Sequence, residues 1–240
     1  LSRKKERLVT SAFLVEGPRA ATQVTASSPD SIIEILATDE VVDTYNDYPT
    51  RLISESQLKS ISSTQHPQGP IAVVRLPVDT YSSDLPDDVG NRLLLLEDVQ
   101  DPGNVGALIR TAAAFDFDGI ILTPKCADPL SPKCVQASAG TVLSLWLRVA
   151  DDYLSLSSAI KDKGYTLVAA DLGGSDDISA LNKDKLLLAL GNEANGLSLS
   201  VIEIADIRFK IHINQGKAES LNVAACGAVC MYLSYANLTK

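Results

Sequence analysis

Two short, wholly aliphatic runs constrain this chain more than anything else: Leu93-Leu94-Leu95-Leu96 and Leu186-Leu187-Leu188-Ala189-Leu190. Runs this short and this apolar read as strands covered on both faces, as in the middle of a parallel α/β sheet. Each stops at a polar, turn-rich segment. The first yields to residues 97–103, with Asp101-Pro102-Gly103, and the second to Gly191-Asn192-Glu193-Ala194-Asn195-Gly196. Gly191 and Gly196 let the backbone turn tightly and approach a ligand closely. Further strands are expected over 166–170, where the small residues of Asp171-Leu172-Gly173-Gly174 that follow leave room for a flat ring, and over 209–213, then a loop over 214–219. Ser220-Leu221-Asn222 follows and opens a long helix with capping oxygens. Two strand exits this close in sequence can line one pocket. On spacing alone, two ordinary βα turns fit as well as a ligand site.

A third segment, residues 93–111 (LLLLEDVQDPGNVGALIRT), supplies a strand, a turn and a helix start. Asn104 is placed to cap that helix, and Val105, Leu108, Ile109 and Ala112 form its apolar face. Arg110 lies four residues after Gly106 and leans back across the bare glycine towards the Asn104 loop. Taken together and in this order, the three segments resemble the motifs of the SpoU (TrmH-like) RNA ribose 2′-O-methyltransferases. The N-x-G-x-x-x-R-T pattern is Asn104-Val105-Gly106 through Arg110-Thr111. The G-x-E-x-x-G pattern is Gly191, Glu193 and Gly196, and the S-L-N pattern is Ser220-Leu221-Asn222.

The resemblance implies an α/β fold of SPOUT type over 92–240, with a mostly parallel sheet and a C-terminal trefoil knot. It implies S-adenosylmethionine as cofactor, held near Ala169, Ala170, Leu190, Gly191, Asn192, Gly196, Ile211, Ile213, Ser220 and Leu221. Arg110 would be the catalytic arginine, as a base helped by a substrate phosphate or as an electrostatic clamp. Asn104, Ser220 and Asn222 would position ribose and arginine, and Glu193 would organise its loop or meet a facing subunit. A homodimer is implied too. Ala224 stands where many members carry serine and His212 where many carry proline.

Ahead of this, residues 1–76 alternate short helices and strands, as in a small three-layer α/β module. A strand over 12–16, a helix from Pro18, strands over 32–37, 51–53 and 70–76, and a capping box at Ser54 and Gln57 are expected. Phe13-Leu14-Val15-Glu16-Gly17 with Arg19, and Pro67-Gln68-Gly69 before Ile71-Ala72-Val73-Val74, resemble the ribosomal-protein-L30e-like domain that precedes many SpoU catalytic domains. The resemblance implies an RNA-holding role, with Arg3, Lys4, Lys5, Arg7 and Arg19 on phosphates; a packing or dimerisation module is the bland reading. Residues 77–91 read as an acidic, extended, solvated linker.

Composition sets limits. A net charge of −9 argues against a broad nucleic-acid-binding surface and leaves only local basic patches. No apolar stretch reaches the roughly 18 residues of a membrane span, and the N-terminus lacks a signal-like apolar run. Cys126, Cys134, Cys226 and Cys230 form no C-x-x-C pair and read as buried reduced thiols, which implies a reducing, cytoplasmic setting and no metal. The expectation is methyl transfer to RNA, with large-subunit rRNA favoured by the front module. A tRNA substrate, or a non-catalytic RNA- or ribosome-binding protein on the same scaffold, is the alternative. A Rossmann-type enzyme fits neither glycine segment.

Overall fold

The structure, a computed structural model, describes residues 1–67, 69–214 and 216–236. Gln68, within the front-module resemblance, and Gln215, in the loop before Ser220, lie outside them. The front of the chain contains α1 (Lys4–Thr10), β1 (Ala12–Glu16), α2 (Pro18–Ser27), β2 (Ile32–Ala37), β3 (Thr50–Leu52), α3 (Glu55–Ile61) and β4 (Ile71–Arg75). These strands form one sheet in the order β1-β4-β2-β3, with β4 antiparallel to both neighbours. The capping box is present: Ser54 N–H donates to Gln57 Oε1 at 2.8 Å, and Gln57 N–H donates to Ser54 Oγ at 3.3 Å.

The rest contains β5 (Arg92–Leu96), α4 (Pro102–Ala114), β6 (Gly119–Leu122), α5 (Pro132–Ala137), β7 (Trp146–Val149) and α6 (Tyr153–Asp162). There follow β8 (Thr166–Ser175), β9 (Leu186–Leu190), α7 (Leu199–Ile204), β10 (Ile207–Phe209) and α8 (Val223–Ala236). Six strands make a wholly parallel sheet in the order β10-β8-β9-β5-β6-β7. The two aliphatic runs are its central pair, β5 and β9, buried at every residue. The pleat sends alternate leucines to opposite faces. Leu94, Leu96, Leu188 and Leu190 pack with Leu108 and Ile109 of α4 and Met231 of α8. Leu93, Leu95 and Leu187 pack with Leu156 and Ile160 of α6 and Val201 of α7. Each such leucine contributes roughly 1.5–3 kcal/mol of burial. Among the described residues no helix is long and apolar enough to cross a membrane.

Several expectations are corrected. Residues 77–91 stay largely solvated, with residues 77–79, 83–84, 87–88 and 91 exposed, but they are pinned at several points rather than free and extended, and residues 78–81 form a 3-10 turn. The Tyr81 hydroxyl donates to Asp128 at 2.8 Å, Trp146 Nε1 donates to the Val89 carbonyl at 3.2 Å, and buried Arg148 donates to the Asp84 carbonyl. Burial, and then the Asp128 carboxylate, push the Tyr81 hydroxyl well above its ordinary range. The α4 cap is Asp101, whose Oδ1 accepts the Asn104 N–H at 2.9 Å, so Asn104 lies inside the first turn. Pro102 takes N1, where its missing N–H costs nothing and its fixed φ suits the helix. The bare side of Gly106 faces α5 rather than Arg110: a Cβ there would lie 2.5 Å from Ala137 Cβ and from the Cys134 carbonyl oxygen.

The strand expected to end at Ala170 runs on to Ser175 as β8. Gly173 and Gly174 serve its close approach to β10, where added Cβ atoms would strike Arg208, rather than leaving room for a flat ring. The strand expected over 209–213 is only Ile207–Phe209, and residues 211–214 are irregular.

Arg7 is also not a phosphate contact. It is 1% exposed, pairs with Asp128, and donates to the Leu1 and Ser2 carbonyls at 3.1 and 3.0 Å. It fastens the front module to the loop before α5. Arg3, Lys4, Lys5 and Arg19 are exposed.

Candidate active site

The carboxyl ends of parallel strands collect ligands because loops diverge there and leave a crevice. Here the ends of β8, β9 and β10, with the start of α8, enclose a cavity of about 510 Å³. That volume is in the range of small-molecule sites. Of the ten residues expected to hold cofactor, Ala170, Leu190, Gly191, Asn192, Gly196, Ile211, Ile213, Ser220 and Leu221 line it. Ala169 does not; it is fully buried in the sheet, in register with Ala189 and Arg208. Phe209 and Leu190 close the apolar end, while Asp171, Glu193 and Glu219, with Lys210, give the wall its charge.

The loop after β9 is folded onto itself. Asn192 and Gly196 exchange backbone hydrogen bonds of 3.0 and 2.9 Å. Gly196 has φ +69°, a conformation natural to glycine. Gly191 has no space for a side chain: a Cβ would lie 2.2 Å from the Gly196 carbonyl carbon. The Asn192 amide completes the loop. Its Oδ1 accepts the Ala194 and Asn195 N–H groups at 3.0 and 3.1 Å, and its Nδ2 donates to the Asp98 carbonyl at 2.8 Å.

That last bond joins the second segment to the first. Asp98 is a non-glycine residue at φ +55°, held by Thr123 and Lys125. Beside it, Glu97 is 4% exposed; its carboxylate accepts the Ser198 N–H at 2.7 Å and the Tyr153 O–H at 2.8 Å. Burial, and then that carboxylate, push the Tyr153 hydroxyl up to about 12. Reading the sequence missed both acids, since a turn-rich segment hides which of its carboxylates are inward. The one signal was an acid set directly after four leucines.

Three polar side chains then link all three segments. Asn104 Nδ2 donates to Glu193 Oε1 at 2.9 Å, and Asn222 Nδ2 donates to Asn104 Oδ1 at 3.1 Å. Asn222 Oδ1 accepts the Ala224 and Ala225 N–H groups at 2.9 and 3.3 Å and so caps α8. Glu193 also receives the Gln100 and Asp101 N–H groups at 3.4 and 3.5 Å. Partial burial works to raise its carboxyl pKa, but the Asn104 amide and the backbone donors outweigh that and hold it below the ordinary range.

Arg110 and the Ser220 side chain stand apart from this chain. Arg110 is exposed on α4, outside the cavity lining, with no hydrogen bond or ion pair among the described residues. Ser220 lines the cavity, and its hydroxyl has no partner among them. The arrangement offers a pocket open to solvent on one side, a hydrogen-bonded polar rim and one uncommitted guanidinium near that rim in sequence. Main-chain donors and acceptors suit a neutral aromatic ring, and the acidic wall suits a cationic ligand.

Comparison with known proteins agrees with this geometry. Residues 91–232 match the SpoU rRNA Methylase family. The chain is 29% identical over 236 residues to the 23S rRNA (guanosine(2553)-2′-O)-methyltransferase RlmP of Bacillus subtilis, covering 97% of this chain and 92% of that protein. Its structure is similar to a TrmH-family protein from Porphyromonas gingivalis, with a TM-score of 0.85, 29% identity, and 99% and 94% of the two chains covered. It is also similar to the AdoMet-bound rRNA methyltransferase of Sinorhizobium meliloti, with a TM-score of 0.82, 25% identity, and 99% and 92% covered. With a family match over more than half of its length, the chain belongs to the SpoU rRNA methylase family.

Proposed function

We propose that this protein transfers the methyl group of S-adenosylmethionine to a ribose 2′-hydroxyl of large-subunit ribosomal RNA. The observation that carries the reading is the Glu193–Asn104–Asn222 chain, which ties all three family segments together at the cavity rim. The cavity fits the cofactor: its volume is adequate, Leu190, Phe209 and Val223 give it apolar surface, and its acidic side chains complement a sulfonium. When bound, the cofactor supplies a methyl on a good neutral leaving group, so the protein need only align the acceptor and manage one proton.

Glu193 is unsuited to take that proton. Its carboxylate is occupied by three donors and its pKa is lowered, so it organises the loop. Arg110 is a poor base, since a guanidinium is a donor-only group that offers no acceptor for a proton. It acts instead as a clamp on a substrate phosphate and a stabiliser of the incipient alkoxide, while the hydroxyl proton leaves to a phosphate oxygen. Ser220, Asn104 and Asn222 position the ribose and the clamp.

The front module holds RNA through the exposed Arg3, Lys4, Lys5 and Arg19. A local patch of this kind serves an acidic protein. The domain division at 1–76, 77–91 and 92–240, the ribosomal-protein-L30e-like character of the first part, and a cytoplasmic site of action belong to the same proposal. So does a trefoil knot at the C-terminus. A homodimer is included as well. Ala225, Val229 and Tyr232 form an exposed stripe along α8, with Phe115 beside Tyr232 at 5.8 Å between ring centroids. A second copy docked there buries that stripe.

Transfer of labelled methyl from S-adenosylmethionine to rRNA lacking the modification tests the reading. Wild type is expected to label one ribose in large-subunit RNA, and Arg110→Ala to lose that activity with its Tm unchanged. Absence of transfer by folded, cofactor-binding wild type overturns it.

A further inference from the structure

α8 brings two sulfurs to the cofactor cavity. Cys226 and Cys230 are one helical turn apart, so they share a face, and both line the cavity. Cys226 is half-buried and Cys230 fully buried, and neither is in a disulfide. We propose that this cavity is also a covalent site, where the Cys226 sulfur, supported by Cys230, adds to small neutral α,β-unsaturated carbonyl compounds. The inference rests on the cofactor reading only for its claim of competition between the two ligands.

The other two thiols are excluded by their surroundings. Cys134 is buried where α5 meets α4, and burial pushes its thiol up to about 11. Cys126 donates to the Leu96 carbonyl at 3.2 Å, and burial raises its thiol as well. At the cavity the relation is different. The Cys230 thiol donates towards the Cys226 sulfur, which favours the Cys226 thiolate and disfavours that of Cys230. A thiolate open to a cavity is the nucleophilic form.

The step balances without an oxidant. The Cys226 sulfur forms a bond to the β-carbon, the carbon–carbon π pair moves to the α-carbon as an enolate, and the proton released by the thiol ends on that carbon. Leu190, Phe209 and Val223 line the same cavity and suit a flat apolar reagent. Asp171, Glu193 and Glu219 on its wall disfavour an anionic one.

The test is N-ethylmaleimide labelling of the full chain, followed by peptide mass spectrometry, with and without S-adenosylhomocysteine. The expected result is one adduct, at Cys226, formed more than about tenfold faster than any at Cys134 or Cys126. It should be lost in Cys226→Ser and slowed by saturating S-adenosylhomocysteine. Iodoacetate should lag behind iodoacetamide at the same sulfur. Labelling of Cys226 no faster than of Cys134 in folded protein overturns the inference. Rapid Cys226 labelling that S-adenosylhomocysteine does not slow, with calorimetry showing no binding, would leave the covalent site standing and remove the cofactor reading instead.

Discussion

Asn104 and Asn222 lie 118 positions apart, and the Asn222 amide donates to the Asn104 carbonyl oxygen across 3.1 Å. The direction of that bond is forced. Backbone N–H groups can only donate, so the oxygen of Asn222 must face Ala224 and Ala225. Its nitrogen therefore faces Asn104, which must present oxygen. The nitrogen of Asn104 is then left for the carboxylate of Glu193, which only accepts. The first turn of α8 thus dictates the polarity of a chain that ends on the loop over the cavity.

Asn222→Asp should separate capping from polarity. An aspartate keeps the oxygen that accepts the Ala224 N–H, so stability should change by less than about 0.5 kcal/mol. It turns an acceptor towards Asn104 and reverses the chain, bringing two oxygens together at Glu193. We expect kcat to fall about a hundredfold, as a misplaced catalytic geometry does. Asn222→Ala should lose activity and also about 1 kcal/mol of cap stability. Thermal melts and single-turnover methylation measure both.

Glu193 gives a pH signature. Its folded-state pKa lies below its unfolded value, so its contribution is present above the ordinary carboxylate range and lost as pH falls through the lowered value. The Tm difference between wild type and Glu193→Gln should therefore be constant near neutrality. It should shrink as acid takes the pH below the ordinary carboxylate range. A difference that grows with acid would contradict the assignment.

What the sequence disclosed follows from range. β5 and β9 were legible because a buried parallel strand needs no polar face, and the Gly191–Gly196 turn because its constraint lies within six residues. The fate of Arg7 was not, because its partner Asp128 is 121 positions away and nothing near Arg7 marks it as buried. The 77–91 segment misled for the same reason. Its composition is that of a free linker, but Trp146, Arg148 and Asp128 hold it from distant elements. Gly173 and Gly174 read locally as room for a ligand, whereas the space beside them is filled by β10, which the sequence places more than 30 residues on. The motif residues were found together, but the order of their hydrogen bonds needed coordinates.

The two loop glycines should respond differently to alanine. At Gly191 the added Cβ meets the Gly196 backbone at 2.2 Å, which has no flexible end to yield. Gly191→Ala should cost about 1–3 kcal/mol and open the loop. At Gly196 no atom lies within 4 Å, and the penalty is the left-handed backbone alone, about 1–2 kcal/mol. Calorimetric binding of S-adenosylhomocysteine should be lost in Gly191→Ala and retained, though weakened, in Gly196→Ala.

The basic residues of the front module should divide into two classes. Arg7 and Asp128 are 2% and 19% exposed at their side chains. Arg7→Ala strands a partly buried carboxylate and removes the donors to the Leu1 and Ser2 carbonyls, so it should cost about 3 kcal/mol or more. Arg3, Lys5 and Arg19 are exposed, with no side-chain ion pair among the described residues. Alanine at all three should leave urea denaturation within about 0.5 kcal/mol of wild type. It should weaken rRNA binding and flatten its salt dependence by about 0.7–0.9 log units per lost phosphate contact. Binding titrations across a salt series read that slope directly. A triple variant that binds rRNA with the wild-type slope would take the phosphate contacts away from this surface and leave the front module a packing role.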